Sequence, residues 1–238
     1  MSRQEKIASG KESLVKHALA KRLRLDIVTG RLPPGPRIVE GTLGKKFGVA
    51  QGSVREAINI LAQEGFVAKA SGRSARVVTL SEQDVLHLYE LRGAMEGLAA
   101  RLAVVCHADT GKLEQAVQGM REAVQARRSD ELLDADRQFH LELCEMSGNP
   151  YLQQQARRML LPFFAFVRMR VLASGQNTSA WGRDLDAHQR ILDLIRDGEG
   201  EVAEQYVRRM MARFAATAYQ NWEKKTAPKR KRRSAPAE

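Results

Sequence analysis

Two apolar stripes in the second half of this 238-residue chain are interrupted by groups that do chemistry. The stripe Leu133, Asp136, His140, Leu143 sets a carboxylate and an imidazole one helical turn apart where core residues belong. The stripe Leu185, His188, Leu192, Ile195 sets a second imidazole inside another helix. Buried without partners, these groups would cost on the order of several kcal/mol, so they must meet one another, a metal or a ligand. The i, i+4 spacing of Asp136 and His140 suits two ligands of one zinc-like divalent ion, with His188 a third from a facing helix. Arginine is the side chain for bidentate carboxylate recognition. Arg92 stands at the edge of the stripe Leu88, Met95, Ala99, and Arg168 and Arg170 flank the expected mouth from another helix. One such histidine alone reads as a satisfied core residue, and one such arginine as a surface ion pair. Together Arg92, Arg168, Arg170, His140 and His188 outline a pocket for an anionic effector.

A second constellation lies in the stretch FGVAQGSVREAINILAQEGFV, residues 47–67. Val54, Ile58 and Leu61 recur at i, i+4, i+7 and form one buried helical face, which leaves Gln51, Arg55 and Asn59 together on the opposite face. Upstream, Leu43 and Phe47 share a face of a shorter helix that Gly48 can stop in the left-handed conformation. The result is helix, three-residue turn, helix, the unit whose second helix enters the DNA major groove. Gln and Asn can read adenine and Arg can read guanine or hold phosphate. Val67-Ala68-Lys69-Ala70 and Ala75-Arg76-Val77-Val78-Thr79 are β-prone runs joined by the turn Ser71-Gly72-Arg73-Ser74, which makes a wing, and Arg37-Ile38-Val39 can add a third short strand. Before it, residues 30–35, GRLPPG, end a helical pattern that starts at about Ser13. The expected DNA-contacting residues are Arg37, Lys45, Gln51, Ser53, Arg55, Asn59 and Arg73.

The pieces GRLPPGPR, LGKKFGV, VREA and EGFV stand in the order and at the spacing of the GntR family of winged-helix repressors, which the segment from Leu14 to Thr79 resembles. Where that family has Ser-Arg-x-Pro, this chain has Ala50-Gln51-Gly52-Ser53. The usual N-cap serine and the arginine that opens the recognition helix are both replaced. A cap of that kind contributes about 1 kcal/mol. Ser53 and Glu56 spell a capping box, so the helix is expected to start later and Gln51 to sit just before it.

Charge separates the chain into three parts. Residues 1–80 hold 15 Lys and Arg against 6 Asp and Glu, residues 81–223 hold 17 against 21, and residues 224–238 hold 7 against 1. The polyanion partner therefore belongs to the N-terminal third. The boundaries expected are 1–80 for the winged helix, 81–223 for a helical domain and 224–238 for a basic disordered tail. Ser81 with Asp84 opens the second domain in capping-box style. Helices are expected at about 82–106, 109–127, 130–146, 150–172, 180–197 and 200–222, with a kink or break at Pro162, giving an antiparallel bundle. The fold class is mainly α, with one small β-wing. Cys106 and Cys144 read as reduced buried thiols. With no signal-peptide core and no long apolar run, the chain is expected to be cytoplasmic and away from membranes.

Residues 82–222 resemble the FCD-type ligand-binding domain of the FadR subfamily. The likeness rests on Leu88-Tyr89-Glu90-Leu91-Arg92 with Glu96, on Asp136-Arg137-Gln138-Phe139-His140 followed by Ser147-Gly148-Asn149-Pro150, and on His188-Gln189-Arg190-Ile191-Leu192. It implies a divalent metal on Asp136, His140 and His188 that helps to hold a small organic-acid effector. The family's third histidine falls on Met210, a poor donor for such ions. The expected molecule is a ligand-responsive repressor, a homodimer that sets two winged helices on a palindromic double-stranded DNA operator. Two competing readings are a metal-dependent enzyme fused to a DNA-targeting domain and a constitutive architectural protein without effector. Against the enzyme, no nucleophile is paired with a base and no separate general acid accompanies the cluster.

Overall fold

The computed structural model describes residues 3–70, 74–174 and 182–226, the side chains at the edges of these segments excepted. Helix α1, Arg3–Val28, starts ten residues before the sequence pattern becomes convincing and ends where Gly30, at φ +73°, turns the chain. Strand β1, Arg37–Ile38, leads into α2, Glu40–Phe47, whose stop is Gly48 at φ +64°. Helix α3, Gln51–Gln63, then packs Val54, Ala57, Ile58 and Leu61 against α1 and the sheet. Strands β2, Val67–Ala70, and β3, Ser74–Val77, complete an antiparallel sheet of order β1-β3-β2. Residues 71–73, and with them Arg73, lie outside the described residues.

The helical part holds α4, Glu82–Val105; α5, Gly111–Gln125; α6, Ser129–Glu145; α7, Pro150–Ser174; α8, Gly182–Arg196; and α9, Gly200–Thr226. Ser81 caps α4 through the expected reciprocal box with Asp84. Its core is built on Phe139, Leu143, Leu160, Phe163, Ile191 and Val207, among others. Helix α7 runs through Pro162 without a break. Proline has no N–H, so the Arg158 carbonyl one turn earlier has no helical donor. The winged helix packs against this carbonyl: Gly65, at φ +81°, comes so close that a Cβ there would stand 2.9 Å from it and 3.3 Å from the Pro162 ring. Ala165 of α7 is buried in the core of the winged helix. Helix α9 continues to Thr226, past the expected start of the tail, and residues 227–238 lie outside the described residues. Among the described residues no helix is long and apolar enough to cross a membrane.

Candidate functional site

Helix α3 begins at Gln51, not at a later turn. Ala50 takes the N-cap position in extended geometry without any side-chain bond to the helix, and Ser53 faces inward and is buried. The expected Ser53–Glu56 box does not set the start, because the three-residue turn from Gly48 to Ala50 already fixes where the helix can begin. Ser53 is therefore withdrawn from the DNA-facing set. Gln51 and Arg55 are exposed on one face with half-buried Asn59. Asn59 donates from Nδ2 to Glu56 Oε1 at 3.1 Å and accepts a bond from Lys69 of β2. Arg37 and Lys45 are also exposed. Two contributors were not apparent before folding. Arg76 lies directly across from Arg37 in the β1–β3 register, and both are exposed. Glu40, at the start of α2, pairs with Arg55 at 3.1 Å. Only the strand register brings the first pair together, and an acid in the first turn of a helix reads simply as a partner of the helix dipole.

The second site forms where α4, α6, α7 and α8 meet. Asp136 Oδ1 stands 3.5 Å from His140 Nε2 and 3.1 Å from His188 Nε2, and the two Nε2 atoms are 3.3 Å apart. Both histidines are buried. The other ring nitrogen of His140, Nδ1, donates to Glu96 Oε2 at 2.5 Å, and Glu96 Oε1 accepts from Arg92 Nε at 2.7 Å. Arg92, expected at the edge of its apolar stripe, is inside, 2% exposed. Its guanidinium lies 4.7 Å from the Phe163 ring centre and 5.0 Å from that of Phe164. Its Nη2 is buried without a hydrogen-bond partner among the described residues. Phe164 stacks on His140 at 5.5 Å and 27°. Arg168 is held by Asp130 at 3.2 Å and Asp134 at 3.1 Å, while the Arg170 side chain lies outside the described residues.

The charges within this cluster depend on one another. Burial alone would push the Asp136 and Glu96 carboxyls up. Hydrogen bonds from His140 and His188 overcome this for Asp136, and the nearby Arg92 and His140 charges do so for Glu96, so both lie below the usual carboxylate range. Burial pulls His140 down, but the Glu96 carboxylate and the bonds to Asp136 and Glu96 outweigh it and leave His140 raised. Cys144 is buried and its thiol pushed up, whereas Cys106, expected to be buried, is exposed at the end of α4. Cys106 caps the helix there, and its chain leaves for a turn rather than for the core.

Donor chemistry and spacing fit a divalent ion. Ligand atoms about 2.0–2.1 Å from a tetrahedral centre lie roughly 3.3–3.4 Å from one another. The three separations here, 3.1, 3.3 and 3.5 Å, surround that value. The Glu96 carboxylate on Nδ1 fixes the tautomer that leaves His140 Nε2 free to ligate. Asp136, His140 and His188 form such a group among the described residues.

The FCD domain family matches residues 87–213, more than half of the chain, and the family of bacterial regulatory proteins named gntR matches residues 16–77. The chain is a GntR-family transcriptional regulator. It carries an FCD domain behind its winged helix, binds DNA, and is not an enzyme. The chain is 26% identical over 199 residues to the "Probable D-xylose utilization operon transcriptional repressor" of Paenarthrobacter nicotinovorans, covering 83% of this chain and 86% of that one. It is 25% identical over 182 residues to the gluconate operon transcriptional repressor of Bacillus subtilis (strain 168), covering 75% and 74%. In fold it is similar to E. coli McbR/YncC, with a TM-score of 0.71 and 18% identity over 87% of this chain and 98% of that one.

Proposed function

We propose that this GntR regulator represses transcription as a cytoplasmic homodimer on a palindromic operator, and that a small organic acid held at the Asp136-His140-His188 cluster with a divalent ion releases it. The observation that supports this reading most strongly is the convergence of three ligand atoms in a buried site backed by Glu96 and Arg92. Asp136, His140 and His188 would hold the ion, which would supply a Lewis-acidic position for a carboxylate. The charges of Arg92 and Glu96 cancel, and Asp136 offsets half of a divalent charge. With neutral imidazoles the site keeps one positive charge, which suits a monoanion. Arg92 Nη2 is a further buried donor, with no hydrogen-bond partner among the described residues. Arg168 is engaged by Asp130 and Asp134, so an acid approaching it must displace them.

On the DNA side, Arg37, Lys45 and Arg76 hold phosphate while Gln51, Arg55 and Asn59 face the bases. A relative described as a gluconate operon repressor makes sugar acids the first set to screen. The test is a thermal-shift screen of such acids with added zinc and with chelator, followed by gel shift. An acid that stabilises only the metal-loaded protein and weakens DNA binding is the expected result. If no acid shifts the melting of either form, the effector reading fails, and a constitutive repressor takes its place.

A further inference from the structure

We infer that Glu40 is the positioning residue that makes the DNA-reading face selective, by holding Arg55 and Gln51 and by denying Arg55 to phosphates of arbitrary sequence. The inference rests on the reading that α3 faces the bases. Glu40 opens α2, yet its carboxylate reaches across the turn to α3. Oε2 accepts from Arg55 Nη2 at 3.1 Å, from Arg55 Nε at 3.3 Å and from Gln51 Nε2 at 3.4 Å, and Oε1 lies 3.5 Å from Arg55 Nε. The side chain of Glu40 is 20% exposed and that of Arg55 56%, so the acid is tucked beneath a guanidinium that faces outward.

Two consequences follow from the chemistry of the groups. A carboxylate only accepts, so the Gln51 amide nitrogen must face Glu40, and the amide oxygen is presented away from it, free to accept from an adenine amine. The Arg55 guanidinium keeps donors for a base edge, but its charge is balanced. Generic phosphate attraction is therefore left to Arg37, Lys45, Lys46 and Arg76, none of which Glu40 contacts among the described hydrogen bonds and ion pairs. An acid beside a polyanion weakens all binding by repulsion, so it improves selection only if the right base sequence recovers the loss. The simpler alternative is a surface ion pair that also satisfies the α2 dipole. Such a pair would leave discrimination between sequences untouched.

The experiment uses the full chain and two duplexes: one that the parent protein enriches from a randomised pool, and a scrambled duplex of the same composition. Affinity for both is measured over a salt titration for the parent, Glu40→Gln, Glu40→Ala, Arg55→Ala and the Arg55→Ala/Glu40→Gln double variant. Glu40→Gln and Glu40→Ala should bind the scrambled duplex several-fold tighter, with a log–log salt slope steeper by about one phosphate contact, while discrimination falls about tenfold. Mere structural damage would weaken binding to both duplexes, so the gain on scrambled DNA is its distinguishing sign. In the Arg55→Ala background the steepening should vanish. Unchanged or uniformly weaker binding by both Glu40 variants overturns the proposal, as does a steepening that persists without Arg55. If Arg55→Ala itself binds both duplexes like the parent, the docking of α3 is wrong and the role of Glu40 falls with it.

Discussion

Whether the acid and imidazoles between the helices take up metal can be read from two kinds of variant. His140→Ala should abolish zinc uptake in calorimetry, and Met210→His, at a buried position of α9, should raise it. Equal binding by the parent and His140→Ala would remove the metal reading. Glu96→Gln is the sharper probe of the supporting carboxylate. It should lower zinc affinity about 10- to 100-fold. It also leaves the Arg92 charge buried without its partner, a loss of about 3–5 kcal/mol in chemical denaturation. Protons report the same site. His140 is raised in the folded chain, so its contribution to stability is complete below about pH 6.5, the ordinary value, and is lost as pH rises through the raised one. Chelated protein should therefore melt progressively lower as pH rises above about 6.5. Ligation needs the neutral ring and releases the proton, so zinc-loaded protein should show that loss reduced or reversed. Asp136, His140 and His188 are legible in the sequence because a helical period exposes any polar residue that breaks it. Glu96 and Arg92 are harder to place, since an i, i+4 acid–base pair looks the same on a wet surface as in a core.

At the scale of elements, the sequence carries most of the helices because their ends are written in short-range chemistry. The Ser81–Asp84 box and Gly48 appear where their residue types imply. The start of α3 is the instructive exception. Ser53 and Glu56 satisfy a local pattern, but the turn geometry and the burial of Ser53 decide otherwise, and the helix opens at an alanine with nothing to cap it. Ala50→Ser should therefore stabilise the winged helix by about 0.5–2 kcal/mol, measured by denaturant unfolding. No gain would mean that the first turn of α3 is already satisfied. On the same helix, Arg55→Ala should abolish selective DNA binding in gel shift at fixed salt while leaving circular dichroism unchanged. Retained affinity would move the reading face elsewhere. The kinship of Arg37 with Arg76 is illegible beforehand for a different reason. It depends on a β1–β3 register of two residues, too short for alternation to announce.

Over the whole molecule, one turn of α7 touches both functional regions. Phe163 and Phe164 wall the Arg92 and His140 side chains, while Pro162 and Ala165 belong to the contact with the winged helix. A helix is stiff, so a displacement of the aromatic pair by a ligand must be carried as a shift of the surface on which Gly65 rests. The Pro162 signal in the sequence was expected to mark a bend or break. In the fold the helix continues through it, and the Arg158 carbonyl that it leaves without a helical donor lies against Gly65 of the winged helix, something no local rule can foresee. Gly65→Ala tests the joint. The substitution meets both a left-handed backbone, a cost of roughly 1–2 kcal/mol, and a carbonyl 2.9 Å from the new Cβ that cannot move cheaply. Gly30→Ala is its control, because φ is also positive there, at +73°, but nothing lies within 4 Å. Both variants should lose stability from backbone strain and should keep zinc uptake in the bundle. Only Gly65→Ala should uncouple the two sites, so that an acid that stabilises the parent still binds but no longer changes affinity for DNA. If Gly65→Ala responds to the acid as Gly30→Ala does, the signal does not pass through this contact. If both lose the response, strain in the winged helix rather than its seat on α7 controls release.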